Sequence, residues 1–191
     1  MGHHTFDPDG AKRLEDDSRY AYLSVDELLA LFEPDPADVV ADLGSGTGFY
    51  TRSIAPHVRR IVAADLQPAM HAAFAEFGIP ENVDRVTAGA GRLPIRTDRL
   101  DAVYSTMTYH EFSGSNALAE LARVLAPGGR LAIADWSAEG AGQRGPPVAQ
   151  RFDAGTVVDQ LRGAGFRIER AADRRETLVV AARLPATSRQ S

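Results

Sequence analysis

The chain has 191 residues, 44% of them apolar and 25% charged, with no cysteine and a formal net charge of −5. At roughly 150 residues per domain this length predicts one decorated domain, and the composition is that of a globular protein with a buried core. The lack of cysteine excludes disulfide scaffolds, thiolate zinc sites and cysteine nucleophiles, and the negative charge argues against a nucleic-acid partner, whose phosphates call for a positive field. No apolar run approaches the roughly 20 residues of a membrane span, and no basic-plus-apolar leader is visible, so the chain reads as cytoplasmic, without membrane insertion, and as a monomer or homodimer.

Residues 1–23 mix His3, His4, Asp7, Asp9, Arg13, Asp16, Asp17 and Arg19 with few large apolar side chains, chiefly Phe6, Tyr20 and Tyr22, and read as an N-terminal arm or lid. The adjacent His3 and His4 lack further ligands, so no metal site is expected. Ser24-Val25-Asp26-Glu27 is a capping box that opens a helix running to about Phe32, where Pro34 and Pro36 stop it. Five short apolar runs follow, at 39–43, 61–64, 83–88, 102–106 and 130–136. They read as strands separated by helix-length segments, most clearly where Leu118, Leu121, Ala122 and Leu125 fall on one helical face. Such alternation predicts an α/β fold with a parallel sheet covered on both faces. Asp153 caps a further predicted helix over 154–163. Strands at 166–169 and 177–182, parted by a charged turn at Asp173, Arg174 and Arg175, read as a hairpin that adds an antiparallel strand. The domain therefore spans 24–184, followed by a frayed tail over 185–191.

Directly after the first strand stands Asp42-Leu43-Gly44-Ser45-Gly46-Thr47-Gly48, with a helix predicted from Phe49. Three glycines on alternate positions allow a sharp turn and let a ligand approach main-chain amides with no Cβ in the way, beside a helix N-terminus. Asp65 ends the second strand about 20 residues beyond, where a carboxylate can accept hydrogen bonds from both hydroxyls of a ribose, or cap the helix that Leu66-Gln67-Pro68 begins. The Gly-x-Gly-x-Gly spacing differs from that of pyrophosphate binders. Asp42 also stands where a dinucleotide fold has an apolar residue. An acid there can hold a cationic amino group, which points to an adenosine attached to an amino acid.

Residues 40–48 resemble the first motif of class I S-adenosylmethionine-dependent methyltransferases, and Ala64-Asp65 resembles their ribose-binding acid. Leu93-Pro94-Ile95 with Leu100-Asp101-Ala102-Val103 is similar to their "LPF…FD-V" segment, and residues 120–131 to their "E-RVLKPGG-L" segment. The likeness spans about 38–136 in four ordered blocks and is nearest the small-molecule type represented by ubiquinone and menaquinone C-methyltransferases. It implies a Rossmann-like doubly wound sheet of about seven strands, S-adenosylmethionine as cofactor, and methyl transfer to a small molecule by in-line displacement. It also implies that Asp42, Gly44, Ser45, Gly46 and Gly48 hold the methionine end, Asp65 the ribose, and Leu66 with Gly89 and Ala90 the adenine. Gly89 is a departure, because the family commonly has an acid there that bonds the adenine amino group. Two rivals stay open: a catalytically silent binding module, and a nicotinamide oxidoreductase, which the glycine spacing and the single lysine, Lys12, disfavour.

Methyl transfer from a sulfonium needs alignment and exclusion of water above all, and a base only where the acceptor must lose a proton. The segment 105–112 follows the fourth strand, at the carboxyl ends where open α/β sheets bind ligands. Thr106 is expected at the cofactor and His110 as the candidate base, while Tyr20, Tyr109, His110 and Trp136 are expected to contact the acceptor. Phe6, Arg19, Tyr20 and Tyr22 either close over the site or tie the arm to the core.

Overall fold

The structure, a computed structural model, describes residues 8–186. His3, His4, Phe6 and the end of the tail lie outside the described residues. Seven strands form one sheet: β1 (Val39–Leu43), β2 (Arg60–Asp65), β3 (Val83–Thr87), β4 (Leu100–Thr106), β5 (Leu125–Trp136), β6 (Arg167–Asp173) and β7 (Thr177–Arg183). Their order is β3-β2-β1-β4-β5-β7-β6, parallel except for β7, which runs antiparallel to both neighbours. The expected hairpin is thus real, and its second strand slips between the first and the rest of the sheet.

Among the described residues six α-helices flank the sheet: α1 (Val25–Phe32), α2 (Phe49–Ile54), α3 (Pro68–Glu76), the single turn α4 (Tyr109–Phe112), α5 (Ser115–Val124) and α6 (Ala154–Gly163). Because successive strand residues point to opposite faces, each buried strand feeds two cores. Val40, Ile61, Tyr104 and Ala132 pack against α1, α2 and Phe74 of α3 on one face. Ala41, Leu43, Val103 and Ile133 pack against α5 and α6 on the other.

Local chemistry explains the helix boundaries. Ser24 Oγ accepts from Glu27 N at 3.1 Å, as a capping box requires. The Glu27 carboxylate, however, lies 3.0 Å from Arg174, tying α1 to the β6–β7 turn. Asp153 Oδ1 accepts from Thr156 N at 2.6 Å and caps α6. Leu125, the last position of the predicted helical stripe, is instead extended and starts β5 opposite Leu100. The exposed edge strand β6 carries Arg167, Glu169 and Arg170, charges that discourage pairing with another chain.

Strand order reverses between β1 and β4, so their carboxyl ends part and open a crevice. The Gly44–Gly48 turn, the ends of β2 and β5, and α4 all meet around it.

Candidate active site

Gly44, Gly46 and Gly48 all have positive φ, at 72°, 53° and 77°. The turn is pinned to the end of β2 by Gly44 N and Ser45 N, which donate to Ala64 O at 2.8 and 3.1 Å. Asp65 completes the tie: its Oδ2 accepts from Gly46 N and its Oδ1 from Gln67 N, both at 2.8 Å. The carboxylate therefore secures two backbone amides, and α3 begins three residues later at Pro68. A carboxylate offers about four acceptor positions, so roughly two remain for a ligand beside the glycine turn.

The three glycines are not equivalent. A Cβ on Gly44 would lie 2.4–2.6 Å from the Thr108 side chain, and one on Gly48 would lie 2.3–2.5 Å from the Phe74 ring. Both spaces are filled by the protein itself, which corrects the expectation that all three positions are kept bare for a ligand. Of the three, only Gly46 has room for a Cβ, which would make ordinary contact with Leu14 Cδ1 at 3.6 Å. Gly48→Ala should thus displace a fully buried ring and strain the backbone, costing roughly 2–5 kcal/mol and lowering the thermal midpoint by roughly 5–15 °C. Gly46→Ala should cost only the backbone strain, about 1–2 kcal/mol. Parallel thermal melts check the contrast.

Asp42 is buried beneath the turn. Its Oδ2 accepts from Thr51 Oγ1 at 2.5 Å, while Oδ1 has no partner among the described residues. Burial, only partly offset by Thr51, Tyr104 and Arg19, pushes its pKa from 3.8 up to about 7. The Tyr104 hydroxyl, on the register-paired residue of β4, is close enough to favour the ionised acid but lacks hydrogen-bond geometry toward it. Ser45 Oγ, in the turn above, is likewise buried without a partner. Two orphaned polar atoms at the turn, with its positive-φ backbone, suit a polar, cationic ligand end of the kind an amino acid supplies.

The arm covers this end. It runs as two 3-10 helices, Pro8–Glu15 and Asp17–Ala21. Thr47 Oγ1 donates to Glu15 Oε1 at 2.5 Å, and Arg52 pairs with the same carboxylate. The Arg19 guanidinium lies 4.8 Å from the Phe49 ring centre and 5.3 Å from that of Tyr50. Tyr20 packs tilted on Phe49 with ring centres 4.7 Å apart and meets Ser53 at 3.5 Å, which ties the arm to α2. Tyr22 instead packs on Trp136 at 5.0 Å. Trp136 is enclosed further by Arg151 at 5.6 Å and by Gly145, whose backbone lies against the ring, so it braces the 137–152 loop at the end of β5.

At the adenine end, Leu66 is 51% exposed and its Cδ1 lies 3.7 Å from where a Gly89 Cβ would stand. Ala90 is half-buried beside them. Leu66 and Gly89 thus leave an apolar shelf of the kind a flat heterocycle covers, with no side-chain acid at position 89 to bond it.

Thr106, the last residue of β4, is buried, and Met107 after it takes φ 59°, a left-handed conformation costly for a bulky residue. That kink brings Thr108 against Gly44 and starts α4. Tyr109 is a correction to the sequence reading: it is fully buried, its hydroxyl donates to Gln160 at 2.7 Å, and its ring packs on Phe112 and Phe152. His110 faces the other way. Its Nδ1 lies 3.0 Å from both oxygens of Asp135, the penultimate residue of β5, whose Oδ2 also accepts from His110 N at 2.7 Å. Burial disfavours the imidazolium, but the Asp135 hydrogen bond and charge, with Glu111 behind, outweigh it and the repulsion of Arg151, so the His110 pKa lies above the ordinary value. The sequence reading missed Asp135, although its signal was visible: it is an acid near the carboxyl end of a predicted strand, as are Asp42 and Asp65.

Comparison with known proteins places this geometry. A family described as a methyltransferase domain matches residues 41–133. A solved structure of a SAM-dependent methyltransferase from Aquifex aeolicus superposes with a TM-score of 0.85 at 28% identity, covering 94% of this chain and 100% of that one. Residues 41–133 are therefore a methyltransferase domain, on a fold shared with SAM-dependent methyltransferases. Among curated relatives, a demethylmenaquinone methyltransferase of Mycobacterium marinum is 39% identical over 105 residues, 53% of this chain and 43% of that protein. A methyltransferase-like protein of Schizosaccharomyces pombe is 34% identical over 100 residues, 52% of this chain and 38% of that protein. The matched stretch thus spans about two fifths of these curated relatives. In this methyltransferase fold it contains the glycine turn, Asp65 and α4, but ends at 133 in the family match, two residues short of Asp135.

Proposed function

We propose that this chain binds S-adenosylmethionine across the tips of β1 and β2 and uses it to methylate a small molecule in the cytoplasm. The observation that carries the reading is Asp65, whose carboxylate is locked onto Gly46 N and still presents acceptor positions at the glycine turn. Asp65 would hold the ribose hydroxyls; Asp42 and Ser45 the amino-acid end; Leu66 and the Gly89–Ala90 backbone the adenine; and Thr106 the approach to the reacting face. The fit is supported by Asp42 Oδ1 and Ser45 Oγ, acceptors buried at the glycine turn without a partner among the described residues.

When bound, the cofactor supplies a methyl group already activated by the sulfonium charge. The protein's part is alignment and exclusion of water. Leu14, Glu15 and Arg19 of the arm cover the turn side, and α4 with the end of β5 walls the opposite side, leaving His110 at the reacting face. The acceptor is read as small because a net charge of −5 disfavours a polyanionic partner. A silent binding module draws support only from Gly89, whereas the buried acid beside His110 favours an enzyme.

Titration calorimetry tests the reading. S-adenosylmethionine and S-adenosylhomocysteine should both bind and NAD should not. Absence of heat with both sulfur nucleosides, or binding of NAD in their place, overturns it.

A further inference from the structure

Three consecutive residues run off the end of β5 into the crevice, and each is committed. The Asp135 carboxylate accepts from the main-chain amides of His110 and Trp136, both at 2.7 Å, so its orientation is set from two sides. Trp136 lies under Arg151. Ser137 O accepts from Arg151 Nη1 at 3.4 Å. Asp135 is 2% exposed, and a carboxylate so deeply buried is tolerated only when paired and hydrogen-bonded. Capping α4 needs the amide bond to His110 alone. The second contact, to the imidazole Nδ1, is additional, and it fixes the ring with Nδ1 as donor and Nε2 as the basic nitrogen. The His110 side chain keeps 11% of its surface accessible, and its Nε2 stands 3.9 Å from Glu111 Oε1, beyond hydrogen-bond reach.

We infer that Asp135 is a positioning residue that presents His110 Nε2 as a proton acceptor, and that the molecule methylated here is one that gives up a proton from oxygen, nitrogen or an acidic carbon as it takes the methyl group. This rests on the function proposed above. The step balances: the acceptor X–H transfers its proton to Nε2, the freed pair on X forms the X–CH3 bond, and the S–CH3 bond breaks with its electron pair left on sulfur. A neutral thioether, a methylated acceptor and an imidazolium beside the Asp135 carboxylate result. The charges around the imidazole are Asp135 on β5, Glu111 on α4 and Arg151 before α6. The two acids support the imidazolium and the arginine opposes it.

The first test reads His110 by nitrogen NMR in the protein bound to S-adenosylhomocysteine, assigned with H110Q. Above its pKa the wild-type ring should carry its proton on Nδ1, and Asp135→Asn should shift the His110 titration to lower pH while leaving S-adenosylhomocysteine affinity within about threefold. A wild-type ring protonated on Nε2, or a titration unmoved in D135N, overturns the inference. The second test follows methyl transfer to catechol, 4-nitrophenol, acetylacetone and aniline. At least one should be methylated, with kcat in H110Q and D135N down roughly 100-fold or more, KM little changed, and the rising limb of the D135N pH profile displaced to lower pH. Equal kcat in wild type and both variants, or no methylation of any probe by the wild type, overturns it. Failure to bind S-adenosylhomocysteine at all would instead remove the function proposed above, so the two failures are distinguishable.

Discussion

Replacing Asp65 by alanine is expected to lower the affinity for S-adenosylhomocysteine at least about a hundredfold. A hydrogen bond to a charged acceptor is worth about 1.5–3 kcal/mol, and two ribose hydroxyls give about 3–6 kcal/mol, each 1.4 kcal/mol being tenfold in affinity. The same change releases Gly46 N and Gln67 N, both bonded at 2.8 Å, so the turn also loses its fastening to β2. Asp65→Asn separates the two contributions, because one amide oxygen can keep the Gly46 bond but the pair of ribose acceptors is gone. Calorimetry on both variants, with thermal melts to confirm folding, makes the measurement. Affinity within fivefold of wild type in D65A would remove the sugar from this position.

The second large effect concerns Asp42 and has the opposite sign for stability. Its pKa is raised by burial from 3.8 to about 7, so ionising it costs more in the folded chain than in the unfolded one. At one pKa unit per 1.36 kcal/mol the difference is roughly 4 kcal/mol. Below about pH 3.8 the acid is protonated in both states and the cost is absent. Between pH 3.8 and about 7 the unfolded state ionises first and stability falls as pH rises; above about 7 the full cost stands. Asp42→Asn keeps an acceptor for Thr51 and offers a donor toward the Tyr104 hydroxyl without the charge. It should therefore raise the denaturant midpoint at pH 8, give little change at pH 4, and flatten the profile between. On the function proposed above it should also weaken S-adenosylmethionine binding, since Asp42 is there the acid assigned to the cationic end. Denaturant unfolding at several pH values checks the stability half, and an unchanged pH profile would sink the argument.

Much of the architecture was legible because strand burial and helix capping are local. The 39–43 and 154–163 boundaries coincide with β1 and α6, since a buried run and an Asp153 cap leave little freedom. Leu125 was misassigned because a helical stripe and a buried strand both ask for leucine there, and only pairing with Leu100 decides. At the site, the position of the glycine turn after β1 and of an acid ending β2 could be located because their spacing is contiguous or set by a known crossover length. Tyr109 and Asp135 could not, since each role depends on a partner distant in sequence: Gln160 buries the one, and His110 engages the other. The kink at Met107, which turns Tyr109 inward and His110 outward, carries no sequence signal because methionine is not a residue that favours positive φ.

The docking of the arm has a bearing on how this protein can be handled. Phe49 and Tyr50, only 6% and 2% exposed, owe part of that shelter to Arg19 and Tyr20, and the Tyr50 hydroxyl donates to Leu23 O at 2.9 Å. Trimming the polypeptide back to Ser24 would bare two aromatic rings on the first helix after the glycine turn and strand Arg52 without Glu15. Such a truncation would trade a polar surface for a sticky one, so residues 14–23 behave as an integral wall of the molecule.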